Sequence, residues 1–339
     1  MANRKPITNR RSFIKGTGGL ATMLALGAPA VIAQTGPKKL ILAHNGPPPE
    51  LGALTQQWFS EQVTKRSNGE LLVDFQGGTI LTKEIEIINA VKTGNVAIGS
   101  PVGAAATVFP EMGLFLVPYL VSSYDQAYKL FNGEVGDQLD KTLQEKYGIK
   151  ILYFYDLGFR HFWNSRRPIN DPRDLRGLKL RTQPSKVFAD SINGLGGVAV
   201  PLPWAEVVTA AQQGVIDGAD LPVANMVPLK AYEMSKYYSL TFHNYGPTVL
   251  TMNLALWKSM TSGQQKLLLD VGRETQGRMR TAMEGADNFE SAKKLLEPHG
   301  MIVNKPDIAP FKAIAQSKIW PNYQSQYPDL WQKITSTTS

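Results

Sequence analysis

The chain has 339 residues, a formal net charge of +8 and no cysteine. Without cysteine there can be no disulfide, zinc thiolate site, iron–sulfur cluster, cysteine nucleophile or cysteine-linked lipid. Arg4, Lys5, Arg10, Arg11 and Lys15 place five positive charges and no acid ahead of Gln34, so the 306 residues from there on carry only +3. That mild balance, with no block of lysine and arginine interleaved with aromatics, argues against a nucleic-acid partner.

Asn9-Arg10-Arg11-Ser12-Phe13-Ile14-Lys15 has the pattern of a twin-arginine export motif. An apolar run over 20–33 follows, interrupted by Gly27 and Pro29 and closing on Val31-Ile32-Ala33. Residues 1–33 are therefore expected to be a signal peptide handled by the twin-arginine machinery and cut after Ala33. The run falls short of the roughly 18 to 20 apolar residues of a spanning helix, and no later stretch qualifies. The expected location is the periplasm, with the mature protein not embedded in the membrane.

A chain of 306 residues exceeds the size at which one core usually stops growing, so two domains are expected. In chain order the patterns predict a strand at 39–44, a helix at 51–66, a strand at 71–75, a helix at 83–92 and a strand at 96–99. Helices at 124–132 and 133–147 precede a strand at 150–155, after which the chain crosses over. A second unit starts near Gly158 and takes in a strand at Leu178, a helix at 185–195, a strand at 198–200 and a helix at 204–213. It closes near Phe242, and 249–253 return to the first sheet. A helical pattern then runs from Thr261 to about Pro298 with no internal proline, as one long helix or as two with a bend near Gly272 or Gly277. The alternating order gives an α/β class with mostly parallel sheets, and two lobes would leave a cleft at the strand ends.

Arg181 is the most informative side chain. Leu178 and Leu180 share one face of a short strand and Lys179 and Arg181 the other, because side chains alternate along an extended backbone. Its planar fork of donors at a strand end suits gripping a carboxylate.

The surrounding motifs are more specific. A GLKLR strand at 177–181, a small-residue turn at 195–197, a helix and turn EVVTAAQQGVIDG at 206–218 and an acidic-x-Pro stretch at 220–222 occur in order. With the opening KLILAH strand, the His243-Asn244-Tyr245-Gly246 stretch and Asn253 to Trp257, the sequence resembles the substrate-binding proteins of tripartite ATP-independent periplasmic (TRAP) transporters. The resemblance implies a two-lobed periplasmic-binding-protein fold with a long helix spanning both lobes as part of the hinge. Lobe I would comprise 34–157 plus 247–286, and lobe II 158–246 plus 287–330. It further implies capture of a small organic acid by hinge closure and delivery to a TRAP permease driven by an ion gradient, with no ATPase; no cofactor and no metal-ligating residue is expected.

Carried over by resemblance, Arg181 clamps the carboxylate, Arg160 is a second arginine at the start of lobe II, and Trp204 packs on the ligand. Many relatives have Asn where this chain has Leu221, so either Asn225 compensates or the ligand is less polar there. That departure points to a monocarboxylate, either a 2-oxo or 2-hydroxy acid or one with an aromatic body. His44 and His243 lie where relatives place rim contacts, Glu84 matches an acidic position near the ligand, and Asp220 either orients Arg181 or caps a turn. An exported enzyme acting on an organic acid is the competing class. None of the four histidines has metal-ligand spacing, and no nucleophile elbow, Walker loop or dinucleotide fingerprint is present. A receptor for a periplasmic sensor would share the same fold.

Overall fold

The computed structural model describes residues 36–101 and 105–337. The twin-arginine motif, the apolar run and the expected cleavage point after Ala33 lie outside the described residues.

The first half of the sheet follows the expected order. Strand β1 (Lys38–His44) leads into helix α1 (Leu51–Arg66), whose free amides are capped by the Glu50 carboxylate accepting from Gly52 N and Ala53 N. Strand β2 (Leu71–Gly77) and, after helix α2 (Glu84–Thr93), strand β3 (Ile98–Ser100) both pair parallel with β1. Helix α2 stops at Gly94, which takes a left-handed φ of 79°. Helices α3 (Tyr124–Phe131) and α4 (Glu134–Tyr147) then feed strand β4 (Ile149–Asn164).

The second half contains β5 (Lys179–Thr182), helix α5 (Lys186–Leu195), β6 (Val198–Pro201), β7 (Gly218–Leu221) and β8 (Tyr237–Asn253). Helix α6 (Ser262–Ala286), helix α7 (Phe289–Leu296) and the short strand β9 (Ile302–Asn304) follow. The sheet order is β2-β1-β3-β8-β4-β7-β5-β6, with β9 added to β8.

Two differences from the sequence expectation matter. The strand predicted at 150–155 does not end there: β4 continues for 16 residues, and its antiparallel partner β8 runs for 17. Both are buried on both faces along almost their whole length, as strands covered on either side should be. Their breakers, Gly158, Gly246 and Pro247, are absorbed as irregularities, with register shifts between Ile151 and Tyr153, Asp156 and Phe159, and Arg160 and Phe162. Two separate sheets become one sheet that two long strands carry through both lobes. Acidic-x-Pro residues 220–222, read as a turn, begin inside strand β7.

The helical pattern from Thr261 does divide, but at Asp287-Asn288 rather than at Gly272 or Gly277. Asn288 is a strong N-cap, its side chain accepting from Ser291 N, so a new helix starts there. The Asp287 carboxylate accepts from Tyr124 Oη at 2.5 Å and from Phe159 N at 2.9 Å, tying the break to the point where β4 crosses between lobes. Position 272 requires glycine because a Cβ there would lie 2.7 Å from Cδ1 of the buried Tyr153 ring, whose hydroxyl donates to Gln56 Oε1 at 2.6 Å.

Two apolar clusters form the interior. One gathers Leu42, Phe59, Ile98, Phe115, Val249 and Val271, and the other Trp163, Val207, Ala219, Met226, Tyr238 and Leu296. Each fully buried large side chain contributes about 1.5 to 3 kcal/mol. Helices at Ala309–Ile314, Trp320–Gln326 and Pro328–Ser336, not anticipated from the sequence, close the chain, with Trp320 Nε1 donating to Pro118 O at 2.8 Å. Among the described residues no helix is long and apolar enough to cross a membrane.

Gly272 and Gly277, two of the four glycines of α6, are expected to separate in thermal unfolding. Gly272→Ala should cost about 1 to 3 kcal/mol by forcing the Tyr153 ring aside. Gly277→Ala, which meets nothing within 4 Å, should be stabilising by up to about 1 kcal/mol. Equal melting temperatures for the two variants would contradict the packing described.

Candidate ligand-binding cleft

Strand β5 lies between β6 and β7, parallel to both, with Arg181 opposite Val200 and Ala219. Its side chain is 3% exposed, although it belongs to the strand face that carries Lys179. Nε donates to Leu202 O at 2.8 Å, and the Trp204 ring centroid is 5.4 Å from Cζ. No carboxylate forms a salt bridge with Arg181 among the described residues. Burial, reinforced by the charge of Arg160, brings its pKa down to about 10, against the pull of Asp220 and Glu84. It stays protonated at neutral pH, so a buried positive charge stands there without an ion-pair partner.

Arg160 is arranged differently. Its Nε donates to Asp220 Oδ2 at 2.7 Å, and Nη2 donates to Asp220 Oδ1 at 2.7 Å and to the Asp220 carbonyl at 2.6 Å. Strands β4 and β7 pair antiparallel and bring the two residues together. Burial would raise the Asp220 carboxyl, but Arg160, with a hydrogen bond from His243, holds it well below the usual carboxylate range. Asp220 therefore fixes Arg160, not Arg181, and it sits in a strand rather than capping a turn.

Both guanidinium groups border one cleft with about 630 Å³ of empty space. Six of the nine residues singled out in the sequence line it: Glu84, Arg160, Arg181, Trp204, Leu221 and Asn225. The other three stand behind its wall. Asp220 backs Arg160, and His243 backs Asp220, its Nε2 at 3.3 Å from Oδ2 and its ring stacked 3.9 Å from that of Phe162. His243 is fully buried, and burial lowers its pKa, so it is neutral and not at a rim. His44 is 1% exposed and likewise lowered by burial, with Nδ1 3.0 Å from Gly46 N and Nε2 3.6 Å from Glu50 Oε2.

The sequence missed Asn45, Gly46, Glu50, Leu157, Gln183, Pro222 and Leu229 as lining residues. Asn45 and Gln183 immediately follow β1 and β5, where ligands of open sheets gather, so the strand-end rule could have found them. Leu221 is 5% exposed and offers only carbon to the cleft. The amide oxygens of Asn45, Gln183 and Asn225 are buried with no hydrogen-bond partner among the described residues. Buried acceptors normally have one, which makes them contact points for a bound molecule. A second space of about 780 Å³ shares Glu84, Arg181, Gln183 and Trp204 and opens past Lys83, Thr107 and Ser185. Among the described residues no group of three histidine or acidic side chains could hold a metal ion.

The Arg160–Asp220 pair gives a stability prediction with a definite pH window. Asp220→Asn should destabilise the protein by about 3 to 5 kcal/mol, because it leaves a buried guanidinium unpaired. The folded-state pKa of Asp220 is depressed, so the stabilisation is complete above the ordinary carboxylate range near 4 and fades as pH falls toward the folded value. Chemical denaturation of both proteins should therefore show the gap closing at acid pH; a gap that widens there would contradict the assignment.

Comparison with known proteins agrees with this geometry. The family model described as bacterial extracellular solute-binding protein, family 7, matches residues 42–326. A Rhodobacter capsulatus protein named as a C4-dicarboxylate-binding periplasmic protein is 31% identical over 248 residues, covering 72% of each chain. A TRAP periplasmic solute-binding protein from Bordetella bronchispeptica, solved with density interpreted as pantoate, superposes with a TM-score of 0.81. It is 27% identical, covering 89% of this chain and 99% of that one. One from Roseobacter denitrificans with bound β-D-glucuronate gives a TM-score of 0.81 at 25% identity, over 89% of this chain and 100% of the other. A family match across most of the chain and a shared two-lobed fold place this protein in bacterial extracellular solute-binding protein family 7, as a TRAP transporter substrate-binding protein.

Proposed function

We propose that this protein captures a small hydroxylated monocarboxylate in the cleft between its lobes, with Arg181 clamping the carboxylate, and presents the closed form to a TRAP permease. The observation that carries this is the difference between the two arginines. Arg160 is neutralised by Asp220, whereas Arg181 is buried with no salt-bridge partner among the described residues. A buried charge is costly until an opposite charge meets it, so the cleft gains most from one carboxylate. The guanidinium fork would take that carboxylate through both oxygens, and Trp204 would cover the fork's face.

Hydroxyl groups on the ligand would satisfy the orphaned amide oxygens of Asn45, Gln183 and Asn225. Asn225 then takes the part that an asparagine at the Leu221 position plays in many relatives. An aromatic body would leave these acceptors unpaired, so a 2-hydroxy or sugar-derived acid fits better. Pantoate and glucuronate, named for two of the similar structures, are both hydroxylated monocarboxylates. In the proposed closure, lobe I (34–157 and 247–286) moves against lobe II (158–246 and 287–330). The hinge lies at the register shift between Asp156 and Phe159, opposite Pro247 and Tyr245. Ligand contacts made only in the closed form shift the population toward it.

Isothermal titration with D-glucuronate and pantoate tests the clamp. Arg181→Ala should weaken binding by about 2 to 5 kcal/mol with little loss of fold, and Arg181→Lys should also bind poorly, since a point charge cannot replace the fork. Unchanged affinity in Arg181→Ala would remove Arg181 from the site.

A further inference from the structure

Glu84 is a carboxylate facing an anion site, which calls for an explanation. It sits in the first turn of α2, where the free amides of the helix favour an acid. That alone would place it on the surface. Instead it lines both the inner cleft and its mouth together with Arg181; burial raises its pKa from the ordinary glutamate value, and the positive charge of Arg181 offsets part of that rise. Its Oε1 accepts from Asn45 Nδ2 at 3.3 Å, which orients the Asn45 amide so that its buried, unpartnered oxygen is free for a ligand donor. Glu50 lines the same wall, but its two oxygens are occupied by Gly52 N and Ala53 N at the start of α1. Lys83, the nearest cation in sequence, is exposed and pairs with Glu86 at 3.2 Å.

The cleft is therefore polarised. Donors and positive charge come from β4 and β5 through Arg160 and Arg181, and acceptors and negative charge come from the β1 loop and α2 through Asn45, Glu50 and Glu84. We propose that Glu84 is the residue that restricts this site to acids with one carboxylate, by setting its carboxylate, which forms no salt bridge among the described residues, in the wall that the rest of a clamped ligand would meet. This rests on the monocarboxylate reading and deepens it. A hydroxyl at the far end donates to Glu84 or Asn45, whereas a second carboxylate meets like charge in a partly desolvated space with no cation spare to receive it. Arg160 cannot serve, since Asp220 already occupies it.

D-gluconate and D-glucarate are both open-chain acids that differ only in oxidation of the far-end primary alcohol to a second carboxylate, and they make a matched pair for titration calorimetry. The wild-type protein should prefer gluconate by about 100-fold. Glu84→Gln should narrow that ratio at least about tenfold, while Glu84→Asp, which keeps the charge, should preserve a preference; a thermal melt establishes that each variant is folded. A wild-type ratio near one, or a ratio unchanged in Glu84→Gln, overturns the inference. Were glucarate to bind wild type well and Arg181→Ala to abolish it, the clamp would stand and the role of Glu84 would fall. Failure of both glucuronate and pantoate to bind would instead overturn the monocarboxylate reading and this inference with it.

Discussion

A guanidinium buried to 3% exposure without an ion-pair partner is the constraint around which the rest of the protein is organised. Desolvating a charge is expensive, and proteins ordinarily settle the cost internally, as this one does at Arg160 with Asp220. At Arg181 the settlement is partial: a backbone carbonyl takes one donor, an indole face lies nearby, and the remaining donors border open space. Under the proposed function the unfinished pairing stores binding energy for an incoming carboxylate, and Arg181 projects from a strand flanked on both sides. Placing a free and a satisfied arginine on one cleft separates two tasks. One supplies the charge, and the other shapes the wall without adding to it.

In the proposed closure, β4, which carries Arg160, and its partner β8 also carry the motion. Strands β4 and β8 run 16 and 17 residues through both lobes, so the lobes share backbone hydrogen bonds instead of being joined by loose linkers. The register shifts fall between Asp156 and Phe159 and between Arg160 and Phe162, bracketing Arg160. A bulge re-aims a side chain and weakens pairing locally, which serves both for pointing Arg160 at the cleft and for a place to bend. Opposite it, Phe242 takes a positive φ of 47° and packs 4.4 Å from His161, whose Nδ1 accepts from Phe242 N at 3.1 Å. Asp287 adds the helix break to the same crossing through Tyr124 and Phe159 N. Strands β4 and β8 and the break after α6 are thus joined at one place by short polar contacts.

Much of this was legible in the sequence. Alternation through Leu178, Lys179, Leu180 and Arg181 placed the arginine on its own face of a strand, and six of the nine chosen residues do line one cleft. Periodicity located α1 with the bounds 51–66 and β1, β2 and α4 to within a few residues. What it could not supply was partnership across the fold. Asp220 and Arg160 are 60 positions apart, and only the antiparallel pairing of β4 with β7 makes them partners. The family resemblance marks His44 and His243 as rim contacts; burial, a tertiary property, sets them behind the wall. The continuity of β4 and β8 was hidden by Gly158 and Gly246, which read as breakers locally and act as bulges in a sheet. The division of the long helix went to Asn288 because a good cap outweighs a glycine that a neighbouring ring keeps in place.

A crystal structure of the protein with D-glucuronate bound tests the central claim most directly. The account predicts a closed cleft with the ligand carboxylate forked onto Arg181 at about 2.7 to 2.9 Å and Arg160 still paired with Asp220. A carboxylate seated elsewhere, with Arg181 facing solvent or paired with an acid of its own chain, would contradict it.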